Sequence, residues 1–196
     1  MEMATLTRAS LQSLEEYARA RPQLRAGMIE YKNRRKVAIG DHVTLLFEDE
    51  KTVRYQIQEM LRIERIFEEE GIQHELDAYN PLIPDGTNLK ATMLIEYEDV
   101  EQRRRELARL VGIEDRVWVR AQGHEKIHAI ADEDLERSTE DKTSAVHFLR
   151  FELDPATIAA LKGGAVLEAG IDHENYQAGS GALPELVRAS LVADLA

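Results

Sequence analysis

The chain has 196 residues, with 37 Asp+Glu against 25 Lys+Arg for a formal net charge of −12, no cysteine, and 43% apolar and 32% charged residues. This is a globular composition, long enough for one domain with appended arms and for a core that needs no covalent staples. It excludes disulfides, cysteine-ligated zinc or iron–sulfur centres supplied by this chain, and every thiol mechanism, and it makes a cytoplasmic home natural.

No apolar run approaches the length of a membrane span, and Met1-Glu2-Met3-Ala4-Thr5 does not read as a signal peptide, so no membrane partner is expected. The charge is unevenly placed: residues 1–54 hold ten Lys/Arg and eight Asp/Glu, which leaves −14 on residues 55–196. An acidic bulk opposes phosphate binding at long range. The best basic runs are Lys32-Asn33-Arg34-Arg35-Lys36, which leads into a strand pattern, and Arg103-Arg104-Arg105, which sits between Glu101 and Glu106. Both read as solvated, salt-bridged surface, and no nucleic acid partner is expected.

Thr7 is placed to cap a helix with Leu11, Leu14, Tyr17 and Ala18 at spacings of three and four, and Pro22 reads as a break before a second helical piece carrying Leu24, Met28 and Tyr31. Val37, Ile39, Val43, Leu45 and Phe47 then alternate as a strand with one buried face. From Thr52 the period turns helical, with Val53, Ile57, Met60, Ile63 and Phe67 inward and Gly71 as the cap. Glu68-Glu69-Glu70 would then lie at the unfavourable end of that helix's dipole.

A short helix expected from Ile72 to Tyr79 leads into Asn80–Asn88, a loop by its Pro and Gly punctuation, with Leu82 and Ile83 packing it down. Met93, Ile95 and Tyr97 mark a second strand, Asp99 caps a helix that Gly112 terminates, and Arg116–Ala121 is a third strand around the single tryptophan, Trp118. Ala145, His147, Leu149, Phe151 and Leu153 alternate as a later strand. Asp154-Pro155 starts a short helix, and Ala165, Leu167, Ala169 and Ile171 form the last strand.

The expected organisation is therefore a helical arm over 1–35, an α+β core over 36–173, a flexible linker over 174–182 and an amphipathic helix over 183–196. The helix carries Leu183, Val187, Leu191 and Leu195 on one line and would dock on the body or on another copy in a homo-oligomer. The expected sheet is mixed or antiparallel with about five strands and flanking helices.

The sharpest chemical motif is His124-Glu125-Lys126-Ile127-His128. In a helix, i and i+4 side chains lie roughly 6 Å apart on one face, so His124 and His128 would share a divalent metal, zinc or iron, with Glu125 as the catalytic base. In a strand, four steps separate them by roughly 13 Å. Ile127, Ile130, Ala131 and Leu135 fit a helical stripe, but Gln122-Gly123 after the third strand reads as a hairpin turn and favours the strand. His147 stands on an apolar strand face, either as a hydrogen-bonded core residue or as a metal ligand joined by His42 and His173. The Asn80–Asn88 loop, with Lys90, Gln56 and Glu59, collects polar groups beside an apolar wall. Asn80, Asp85 and Arg150 are the binding residues if it forms a ligand pocket, and tying down the loop is the alternative. No glycine-rich phosphate loop or nucleophile elbow is present.

Two stretches carry a family likeness. One runs from Tyr55-Gln56-Ile57-Gln58-Glu59-Met60-Leu61-Arg62 to Tyr79-Asn80-Pro81-Leu82-Ile83-Pro84-Asp85-Gly86 and Ala91-Thr92-Met93-Leu94-Ile95-Glu96-Tyr97; the other is Asp141-Lys142-Thr143-Ser144-Ala145-Val146-His147-Phe148-Leu149-Arg150-Phe151. They resemble the prokaryotic domain of unknown function 3501 family, over about Tyr31 to Tyr176. The family has no established activity and supplies no catalytic residues. Its members are often encoded near rubrerythrin-like and iron–sulfur redox proteins, so the resemblance implies an accessory role beside a redox partner.

Three functional expectations follow: a cytoplasmic binding or accessory protein working with a redox protein partner; a zinc-dependent hydrolase using His124, Glu125 and His128; and a homo-oligomeric small-ligand-binding protein using the Asn80–Asn88 loop.

Overall fold

The computed structural model describes residues 5–196, so most of the stretch read against a signal peptide, residues 1–4, lies outside the described residues. Among these residues six α-helices run in chain order: α1 (Leu14–Asn33), α2 (Glu50–Glu64), α3 (Glu69–Tyr79), α4 (Val100–Arg109), α5 (Pro155–Lys162) and α6 (Glu185–Val192). Nine strands accompany them: β1 (Lys36–Ile39), β2 (Val43–Phe47), β3 (Asn88–Ile95), β4 (Val117–Ala121), β5 (Ile127–His128), β6 (Ile130–Ala131), β7 (Val146–Glu152), β8 (Leu167–His173) and β9 (Tyr176–Ala182).

The class is α+β and every pairing is antiparallel, but the strands divide between two sheets, ordered β1-β2-β3-β7-β6 and β5-β4-β8-β9. The alternating apolar residues face each other across the gap. Val37, Leu45, Met93 and Phe151 from the first sheet join Val117, Val119, Ala169 and Ile171 from the second in one cluster. Burying each large member stabilises the fold by about 1.5–3 kcal/mol before chain entropy is charged against it.

The two sheets are joined at both sides. β5 and β6 form one bent strand that changes sheets at Ala129, whose N–H donates to Val117 O at 2.9 Å. On the far side the Tyr176 hydroxyl donates to Ile39 O at 2.6 Å and accepts from His42 N at 3.1 Å, tying β9 to β1.

The expected linker over 174–182 is instead mostly strand β9, paired with β8 from Glu168↔Ala182 to His173↔Tyr176. Its Ala, Gly and Ser residues carry little strand signal because they have little side chain to pack. The β8 register selects them. Gly170 lies under the Trp118 ring, where a Cβ would come within 2.3 Å of the indole.

Pro22 does not break α1, which runs unbroken for 20 residues. The proline is exposed, as is Ala18 one turn earlier, so the freed carbonyl meets water. Flanking side chains pin the segment to α2: the Glu59 carboxylate accepts from Tyr17 Oη at 2.8 Å and from Arg21 Nε at 2.7 Å. The helix starts later than Thr7 predicts, because Ser13 and Glu16 form a reciprocal cap.

α2 also ends early, at Arg65 in the left-handed region with φ 57°. Ile63 and Phe67, expected inward, are 56% and 70% exposed. Gly71 lies inside α3 rather than capping α2, and Glu68-Glu69-Glu70 therefore occupy the N-terminal end of a new helix, where the dipole favours them. Val53, Ile57 and Leu61 pack with Ile72, Leu76 and Ile83 in a second cluster, separate from the sandwich.

α6 docks on the body of its own chain, burying Leu183, Val187, Leu191 and Leu195 in the sandwich cluster. Among the described residues, no helix is long and apolar enough to cross a membrane.

Candidate functional site

His124 and Glu125 lie in the turn after β4, and His128 lies in β5 opposite Trp118. Without a helix, the i,i+4 approach that zinc binding needs is missing, which corrects the hydrolase expectation. His124 Nδ1 is instead 3.2 Å from Thr157 Oγ1 at the start of α5, and Glu125 and His128 are exposed.

The three loop candidates are occupied separately. Asn80 accepts from Leu6 N and donates to Leu6 O, both at 2.9 Å, and so fastens the N-terminal segment. Asp85 accepts from Thr87 N at 2.9 Å in a local turn, and Arg150 makes a two-pronged pair with Glu133 at 2.8 and 2.9 Å. Of the three, Arg150 borders a cavity of about 60 Å³. That holds about two waters, so these side chains tie the loop down instead of forming a shared ligand pocket. Glu59 is likewise committed to α1.

His147 is fully buried in a polar network built by three parts of the chain. Glu114 comes from the short turn Ile113–Arg116, Asp132 from the bend after β6, and Thr143 from the loop before β7. Nδ1 of His147 lies 2.6 Å from Asp132 Oδ2, and Nε2 lies 2.8 Å from Thr143 Oγ1. Thr143 Oγ1 in turn is 3.1 Å from Glu114 Oε2, and Ser138 donates to the other Glu114 oxygen. Arg137 donates to Asp132 at 3.0 Å, and so does the Phe148 N–H. Asp132 adopts φ 50°, a left-handed conformation that these bonds hold.

One ligand atom each from Glu114, Asp132 and His147 lies within 4.8 Å of the others, a metal-type grouping. Every one of those atoms already has a partner, and the Thr143 hydroxyl occupies the open side of Nε2. The order Asp132–His147–Thr143 has the connectivity of a proton relay, yet Thr143 is only 2% exposed, so no substrate reaches the hydroxyl. His42 and His173 do not join the group. His42 stacks on Tyr97 at 4.0 Å, and His173 Nε2 meets Val111 O at 3.0 Å.

A different site opens between the two hydrophobic clusters. The outer face of the five-stranded sheet is only partly covered by α2 and α3, which leaves a cleft of about 340 Å³. Its sheet wall is Leu46, Thr92, Leu94, Val146 and Phe148; its helical wall includes Val53, Gln56 and Tyr79, with Leu82 from the following loop. Glu48, just after β2, reaches into it. This carboxylate is 8% exposed, accepts from Thr92 Oγ1 at 2.7 Å and from Thr52 Oγ1, and forms no ion pair among the described residues. Lys32 also lines the cleft, with Nζ 5.6 Å from the Tyr55 ring centroid.

Arg35 is the residue that reading the basic run as solvated surface misses. It is 1% exposed and donates to Phe47 O at 2.9 Å and Glu48 O at 3.1 Å. Its guanidinium pairs with Asp194 after α6 and with Asp49 at 3.4 Å. Burial pushes the Asp194 carboxyl up to about 6, and neighbouring Asp49 adds to that, because two carboxylates share one cation. No local pattern distinguishes Arg35 from Arg34; its burial follows from where α6 lands.

The molecule is thus an α+β protein with a two-sheet sandwich, a helical cap and a cleft between them. The chain belongs to the family described as Protein of unknown function (DUF3501), matched over residues 5–195. It is similar to a novel protein of unknown function from Burkholderia pseudomallei K96243, known from a crystal structure at 1.90 Å resolution. The two are 60% identical over 98% of this chain and 100% of that one, with a TM-score of 0.94. No curated protein matches the chain.

Proposed function

We propose that this chain is a small-ligand-binding accessory protein whose ligand lies in the cleft between the outer face of the five-stranded sheet and α2–α3. The observation that carries this reading is Glu48, a buried carboxylate with no cation partner among the described residues, at an apolar cleft of about 340 Å³. An unpaired charge held away from water costs stability, and sites kept for binding are where chains tolerate such a cost. The volume and the apolar walls with few polar groups match the usual form of a small-molecule site. The stretches that carry the family likeness supply Gln56, Tyr79, Leu82, Thr92, Leu94, Val146 and Phe148 to its walls.

In the cytoplasm, beside the redox neighbours that the family likeness implies, such a protein serves those neighbours by holding a small molecule, since it has no cysteine to carry a cluster. The test is a thermal-shift screen of the full chain against a metabolite library, repeated on Leu94→Trp, which fills the cleft. Hits that raise the melting temperature of the wild type and lose their effect in Leu94→Trp are expected. Hits unaffected by that substitution would remove the reading.

A further inference from the structure

We infer that the cleft is built for an organic amine: an ammonium group meets Glu48 while an apolar body lies on Leu46, Leu94 and Phe148. This rests on the cleft being the binding site and adds the chemical class of its occupant.

The first ground is charge. Glu48 is 8% exposed, and among the described residues its side-chain partners are the hydroxyls of Thr52 and Thr92. A carboxylate offers about four lone-pair positions, so acceptor capacity is left over for a donor entering from the cleft. A cationic N–H donor supplies both the hydrogen bond and the missing counter-charge, and charge-assisted bonds of this kind are about twice as strong as neutral ones. An anionic ligand meets the opposite situation, a desolvated like charge on a chain of net charge −12.

Neither Arg35 nor Lys32 forms an ion pair with Glu48. Arg35 touches only the backbone carbonyl of Glu48, and its charge is directed at Asp194 and Asp49. Lys32 stands over Tyr55 and forms no pair with Glu48. The second ground is the wall. Leu46 is 7% exposed yet belongs to neither hydrophobic cluster, and it forms the cleft side beside Leu94 and Phe148. A cleft of about 340 Å³ is at the small end of ligand sites, which suits a single ring or a short chain.

Calorimetric titration of the full chain with phenethylamine, 2-phenylethanol and 3-phenylpropionate tests this, since the three share a body and differ in the head group. Phenethylamine is expected to bind at least about tenfold tighter than the alcohol, with the carboxylate weakest. In Glu48→Gln that preference should vanish while the alcohol binds as before. If Glu48→Gln fails to fold, Glu48→Asp, one methylene shorter, should weaken the amine alone. No saturable binding of the amine, a carboxylate that binds as well as the amine, or an amine preference that survives the Glu48 substitutions would overturn the inference. Binding without amine preference that Leu94→Trp abolishes would leave the cleft as the site and reject only the class; binding that Leu94→Trp leaves intact would reject the site itself.

Discussion

Two regions of this protein bury carboxylates, and they do opposite things with them. Around His147, Asp132 and Glu114 are met by an imidazole, two hydroxyls, a guanidinium and a backbone N–H, so the polarity is spent inside the fold. In the cleft, Glu48 is met by two hydroxyls and an open space. The same residue type is structural where its neighbours complete its bonds and available for binding where they do not. Burial alone does not separate the cases, because Glu114 is 7% exposed and Glu48 8%.

The largest effect expected belongs to a third buried charge, which resembles the closed region. Arg35→Met strands Asp194, Asp49 and the carbonyls of Phe47 and Glu48, and urea unfolding should show a loss of about 3–5 kcal/mol. His147→Leu leaves Asp132 Oδ2 and Thr143 Oγ1 without their common partner and should cost about 3 kcal/mol, as removal of one member of a buried network does. A His147→Leu protein as stable as the wild type would mean that the network is not the closed structural unit described.

Next comes pH, where two acids pull in opposite directions. Arg21 holds the Glu59 carboxyl down to about 2. Its stabilisation is therefore full above the ordinary value of 4.5 and is lost as pH falls toward 2. Asp194 sits above its ordinary 3.8, at about 6, so its contribution is greatest at low pH and is lost as pH rises through 6. Unfolding free energy should thus rise modestly from pH 7 to about 4.5 and fall below it. Glu59→Gln should flatten the acid limb by about 2 kcal/mol after solvent screening.

The smallest effect sharpens the comparison most. Glu48→Gln should leave stability within about 1 kcal/mol of the wild type or raise it, because it removes an unpaired charge and keeps an acceptor for the threonine hydroxyls. If it costs as much as His147→Leu, Glu48 belongs with the closed network and the contrast collapses.

Much of the architecture was legible locally. Period-two alternation marked the inner faces of β3, β7 and the stretch from Val37 to Phe47, which was read as one strand and folds as the antiparallel hairpin β1–β2, and the line Leu183–Val187–Leu191–Leu195 marked the buried side of α6, because each pattern follows from backbone geometry alone. Asp99 and Asp154 showed their helix starts for the same reason, since a cap is satisfied within three residues. β9 was not legible, since its small side chains take their conformation from the β8 register. The boundary between α2 and α3 was also hidden: Arg65 turns left-handed where a continuous stripe from Ile57 to Phe67 was the simplest reading.

The candidate sites divide along the same line. His147 was visible as a histidine on an apolar face, but Glu114 and Asp132 lie in turns, outside any periodic pattern, and are 33 and 15 positions away from it. The spacing of His124 and His128 was visible, and its meaning depended on whether that stretch was helix or hairpin. By itself, the sequence determined the α+β class, the alternating core faces, the exclusion of thiol chemistry and the family. Only tertiary structure decided that Arg35 is buried, that Asn80, Asp85 and Arg150 are spent on bonds within the fold, and that Glu48 faces a cleft. Periodicity and capping act over one helical turn or one strand, whereas a charge is paired or left unpaired by whichever distant element comes to rest beside it.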